Sequence, residues 1–99
     1  MKLRDIAHAR TGDKGNISNI SLIAYDPKDY ALLEREVTAA RVAAFFASVI
    51  TGPVERYEMA NVHALNFVLH GALGGGVTRS LALDAHGKSL GSALLALEI

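Results

Sequence analysis

The chain has 99 residues, room for one core and not for two, because single domains centre on roughly 100–150 residues. Ten basic residues balance ten acidic ones, so no global field draws the protein toward nucleic acid or an anionic membrane. It has no cysteine, which excludes disulfides, thiolate metal sites and cysteine nucleophiles and makes the cytoplasm the expected location.

Residues 1–99 are therefore expected to form a single domain. Half of the chain is apolar and 20% is charged, and so apolar a small domain is expected to cover part of its surface with a partner or a second copy. The start, Met-Lys-Leu-Arg-Asp, has no unbroken apolar run and is read as neither a signal peptide nor an anchor. No stretch approaches the ~20 apolar residues of a membrane-spanning helix.

Residues 3–9 and 17–25 read as strands, the second rich in β-branched Ile17, Ile20 and Ile23. The polar segment Arg10-Thr11-Gly12-Asp13-Lys14-Gly15-Asn16 between them is longer than a tight turn and predicts a hairpin with an elaborated loop. Asp26-Pro27-Lys28-Asp29 reads as a helix start, with Asp26 as cap and Pro27 at the first helical position. Thr38 is placed to cap a second helix in which Ala39, Val42, Phe46 and Val49 share one face. The spacing thus predicts helix over 27–50, broken near 37 and ended by Gly52-Pro53. Extended patterns at 54–59 and 64–70 predict a second hairpin, with Leu65, Phe67 and Leu69 alternating against Asn66, Val68 and His70. A short strand is expected at 79–84, a turn over 84–88, and a last helix from Ser89 in which Leu90, Leu94 and Leu97 share a face. Hairpins with segregated helices predict an α+β two-layer sandwich, an antiparallel sheet with helices on one face.

Three constellations carry chemistry. Residues 10–16 concentrate Arg10, Lys14, Asp13, Asn16 and two glycines, groups able to cradle a carboxylate or phosphate. The plain alternative is a hairpin loop with solvated charges. Gly12-Asp13-Lys14-Gly15 also matches the GXXG string of KH domains, but a KH loop joins two helices. Second, the run from Gly71 to Ser80 falls short of a phosphate-binding P-loop, with Val77 where a lysine is required, and of a dinucleotide fingerprint, with Arg79 at the third glycine. It reads as a bend or close backbone approach, with Arg79 keeping an anion site open.

Third are the histidines. His70 falls on the face opposite the leucine stripe and is the best acid–base candidate; the competing account is a hydrogen-bonded structural histidine, because no carboxylate is spaced to orient it locally. His8, two residues before Arg10, points the same way as Arg10. His63 and His86 read as turn residues. No histidine pair has the i, i+4 spacing of a zinc site, so no metal is expected. Glu34, Glu36, Glu55 and Glu58 read as solvated surface, with no two carboxylates in opposed environments.

The blocks Leu3-Arg4-Asp5-Ile6-Ala7-His8-Ala9-Arg10-Thr11-Gly12-Asp13-Lys14-Gly15-Asn16, Gly52-Pro53-Val54-Glu55-Arg56-Tyr57 and Leu65-Asn66-Phe67-Val68-Leu69-His70-Gly71-Ala72-Leu73-Gly74-Gly75-Gly76, with the leucine-rich end, resemble the AtuA-like ferredoxin-fold domain over nearly the whole chain. The resemblance implies a ferredoxin-like fold and a setting in the catabolism of branched isoprenoid or related acyl-CoA compounds, beside a larger catalytic component. It supplies no catalytic residue and implies no cofactor.

Two functional readings stay open. In the first, the chain is an accessory or binding module, a homo-oligomer or a subunit docking on a larger AtuA-type protein, with Arg10, Asp13, Lys14 and Asn16, and Arg79, recognising an anionic small molecule. In the second it is a small enzyme acting on an acyl-CoA or short carboxylic acid, with His70 or His8 moving protons. Nucleic-acid binding is set aside for want of basic excess and aromatic platforms.

Overall fold

Alternating apolar and polar residues in a strand send successive side chains to opposite sides of a sheet, and that alternation organises this protein. A computed structural model describes residues 1–14, 17–71 and 89–99, without the side chains of Asp13, Lys14 and Ser89. Its strands are β1 (Ala7–Lys14), β2 (Ile17–Ala24), β3 (Val54–Met59) and β4 (Ala64–His70). They form a four-stranded sheet in the order β1-β2-β4-β3, and each neighbouring pair is antiparallel. β2 and β3 consequently run parallel, with β4 inserted between them. This is the split β-α-β arrangement of a ferredoxin-like α+β sandwich.

The helices are α1 (Tyr30–Glu36), α2 (Ala39–Phe45) and α3 (Ser89–Leu94). The Asp26 carboxylate accepts the Lys28 backbone N–H at 3.0 Å, and Pro27 opens a short 3₁₀ turn that leads into α1. Val37 leaves the helical region, and the Thr38 hydroxyl then accepts the Arg41 backbone N–H at 3.1 Å to start α2. The predicted break near 37 is therefore a cap exchange. Leu33, Val37, Val42, Phe46, Leu90 and Leu94 close over Ile20, Leu22, Leu65, Phe67 and Leu69 to form the core. In α3, the Gly91 N–H donates to Thr11 Oγ1 at 3.0 Å, drawing the helix close against β1.

Two expectations change. Residues 3–5 form a 3₁₀ turn and not the start of a strand: the Asp5 carboxylate accepts the Lys2 N–H, and the Leu3 and Arg4 N–H groups donate to Leu97 and Leu95, each at 3.0 Å. The amino terminus is thereby bonded to the carboxy-terminal tail. Residues 10–14 are not a loop either. The β1–β2 ladder runs on through Arg10↔Ser21, Gly12↔Asn19 and Lys14↔Ile17, leaving Gly15 and Asn16 between the strands. Cross-strand hydrogen bonds, with Thr11 turned toward α3, outweigh the turn propensity of a glycine-containing polar segment. The expected strand at 79–84, the turn after it and His86 lie outside the described residues.

A candidate site on the uncovered sheet face

The described helices all pack on one side of the sheet, so the positions that alternate with the core face the other way. On the side that no described element covers stand His8 and Arg10 from β1, Ile17, Asn19, Ser21 and Ile23 from β2, Asn66, Val68 and His70 from β4, and Glu55, Tyr57 and Met59 from β3. The Ser21 hydroxyl donates to Asn66 Oδ1 at 3.1 Å and ties the two central strands.

His70, at the end of β4, is held on three sides. Its backbone N–H donates to the Pro53 carbonyl at 3.1 Å, and its carbonyl accepts the Gly52 N–H at 2.9 Å. A Cβ on Gly52 would lie 2.8 Å from the His70 Cβ. Gly71 follows with φ +75°, the left-handed region glycine enters without strain, and a Cβ there would collide with Thr51 Oγ1. The segments Gly52-Pro53 and His70-Gly71 therefore interlock, and both termini of the β3–β4 hairpin are fixed at His70.

This placement gives His70 the carboxylate that the sequence failed to reveal. Glu55 pairs with Val68, which puts it diagonally beside His70 on the same face. His70 Nε2 lies 2.6 Å from Glu55 Oε2. The Tyr57 hydroxyl donates to the other oxygen, Oε1. The Tyr57 bond and then the His70 bond hold the Glu55 carboxyl below the usual carboxylate range. The same bond and the Glu55 charge push the Tyr57 phenol up. An ionised carboxylate only accepts, so the neutral imidazole carries its proton on Nε2 and bears its lone pair on Nδ1.

Arg10 stands exposed on β1 and pairs with no described residue. His8, on the same face, stacks on Tyr25 with ring centroids 5.1 Å apart. A shallow depression lined by Ala9, Arg10, Thr11 and Ser92 borders this edge. Lys14 and His70 both flank Ile17 in the ladder and so share one row, while Asp13 pairs with Ser18. The structure thus brings His8, Arg10 and His70 to one face, with Lys14 at a matching register position. Asn16 and Arg79 lie outside the described residues.

The glutamates divide unexpectedly. On the covered side, Arg56 donates to the Glu34 and Val37 carbonyls at 2.7 and 3.1 Å and to Glu58 Oε2 at 2.8 Å, so it caps the end of α1. The neighbouring Glu58 raises the Glu34 carboxyl above its ordinary value, chiefly through a shared hydrogen bond and like charge. Glu55 and Glu58 are exposed, in line with the surface reading, but neighbours from other elements shift the Glu55 and Glu34 carboxyls in opposite directions. The partners come from different elements, and only knowledge of the hairpin register would have exposed them. Among the described residues, no three His, Asp or Glu side chains gather as a metal site, and no helix is long and apolar enough to cross a membrane.

With this geometry in view, a family model described as the AtuA ferredoxin-like domain matches residues 1–99. The chain belongs to that family. No curated protein and no solved structure matches it.

Proposed function

We propose that this domain is an accessory binding module of the cytoplasm whose uncovered sheet face recognises the carboxylate or phosphate of an acyl-CoA or branched isoprenoid acid. It acts as a homo-oligomer or docked on a larger AtuA-type protein. The observation that carries this reading is Arg10: an exposed guanidinium on an uncovered sheet face, paired with no described residue and beside His8. A charged group with no ion-pair partner among the described residues is available to an anion, and guanidinium geometry suits two-point contact with carboxylate or phosphate. Lys14 shares the face by register and, with Asn16 and Arg79, remains part of the proposed anion site, whereas Asp13, paired with Ser18, occupies an opposite-face position.

The test is thermal stabilisation of the purified protein by coenzyme A, branched acyl-CoAs and simple dicarboxylates, repeated on an Arg10→Ala, Lys14→Ala double variant. A shift in the wild type that disappears in the variant supports the reading. An equal shift in both sinks it.

One observation favours the enzyme reading as a second possibility: His70 has its carboxylate partner at hydrogen-bonding distance. General acid–base work by an imidazole needs that orientation.

A further inference from the structure

We propose that Glu55 is the positioning residue for an acid–base histidine and that Nδ1 of His70 is the atom that takes and returns the proton. The inference deepens the second reading above. It rests on geometry. The diagonal register of β3 and β4 puts Glu55 beside His70, Nε2 is engaged by Glu55 Oε2 at 2.6 Å, and Tyr57 takes Oε1. With both carboxylate oxygens occupied, Glu55 is held in one orientation, and the imidazole has only Nδ1 left to offer.

The backbone fixes the ring's origin as firmly as Glu55 fixes its plane. Pro53 and Gly52 bind the His70 N–H and C=O, and Gly52 leaves room for the His70 Cβ only because it has no side chain. Such support on rigid strands is what an acid–base group requires, since small displacements of a proton-transferring atom reduce its rate steeply. The His70 side chain keeps 32% of its surface exposed, so a ligand has access to the ring.

The substrate class is an oxygen or carbon acid, the groups from which a neutral imidazole takes a proton; Arg10 lies four residues along the strands from the His70 row and two strands across, so only a long substrate with a distant anionic group would also reach its guanidinium. In the step, the substrate's O–H or C–H bond breaks, its electron pair stays on the substrate, and the proton passes to Nδ1. The resulting imidazolium is neutralised by the ionised Glu55 across the Nε2–H bond. The proton returns from Nδ1 to the product, and the site is restored.

The experiment uses the intact protein and no unidentified ligand, so its failure is separate from failure of anion binding at Arg10. Nitrogen-15 NMR of the imidazoles reads which ring nitrogen of neutral His70 carries the proton. Carbethoxylation by diethyl pyrocarbonate reads the nucleophilicity of Nδ1, with His8 and His63 as internal standards. The wild type is expected to show the proton on Nε2, with a low-field resonance that Glu55→Ala abolishes. Glu55→Gln is expected to slow modification of His70 roughly threefold, by loss of the charge-assisted bond, while His8 and His63 keep their rates. Tyr57→Phe should give a smaller slowing. A neutral His70 protonated on Nδ1 in the wild type, or unchanged His70 reactivity in Glu55→Gln, would overturn the proposal.

Discussion

On the covered face of the sheet, Ile20, Leu22, Leu65, Phe67 and Leu69 are fully enclosed, while their immediate neighbours in the same strands, Ser21, Ile23, Asn66, Val68 and His70, keep part of their surface in solvent. The two faces use charged residues differently. Arg56 on the covered side is engaged by two helix carbonyls and a glutamate, whereas Arg10 on the other side pairs with no described residue. A guanidinium near the core has to be satisfied by the fold itself; one on an uncovered face can be left for a ligand. The same logic separates Glu58, which pairs with a structural arginine, from Glu55, which orients a partly exposed histidine.

The largest effect that would sharpen this contrast is Phe67→Ala, expected to lower unfolding free energy by about 3–5 kcal/mol because it opens a cavity between sheet and helices. Urea denaturation measures it, and a loss below about 1 kcal/mol would mean that this side is not the core. Next is Gly71→Ala, which puts a side chain at φ +75° and against Thr51 and should cost about 2–3 kcal/mol. It should also shift the NMR signals of His70, since Gly71 closes the clamp around it. Arg56→Met leaves the Glu34 and Val37 carbonyls without their donor and is expected to cost about 2 kcal/mol.

Acid sets the two sides against each other. The Glu55 carboxyl is depressed in the folded protein, so its stabilisation is present above the ordinary carboxylate value and is lost as pH falls through the depressed one. The Glu34 carboxyl is raised, so its contribution is present at low pH and is lost as pH rises through the raised value. Melting temperatures followed from pH 7 downward should therefore converge for wild type and Glu55→Gln. Over the same range any advantage of Glu58→Gln over wild type should shrink, since protonation of Glu34 removes the like-charge repulsion. Parallel curves for both variants would break the comparison. The smallest stability effect belongs to Arg10→Ala, expected within about 0.5 kcal/mol of wild type while abolishing any anion-induced thermal shift.

Much of this protein was legible in the order of its residues. The alternation of Leu65, Phe67 and Leu69 against Asn66, Val68 and His70 told core from open face, and Asp26-Pro27 and Thr38 marked helix starts that the backbone uses. These signals act over a turn of helix or a few strand residues, within reach of local sterics and hydrogen bonding. The same alternation paired His8 with Arg10 and set His70 opposite the leucine stripe, but only the strand order brought all three to one side. Pairing between distant segments was not legible. β1 extends through Lys14 because β2 continues to bond it, the 3₁₀ turn at 3–5 exists because Leu95 and Leu97 receive its N–H groups, and Glu55 meets His70 because β3 and β4 adopt one register among several. Register is decided by the whole ladder and the core packed against it, so the residue composition of the candidate site came from the sequence, and the acid–base partner within it came only from the tertiary structure.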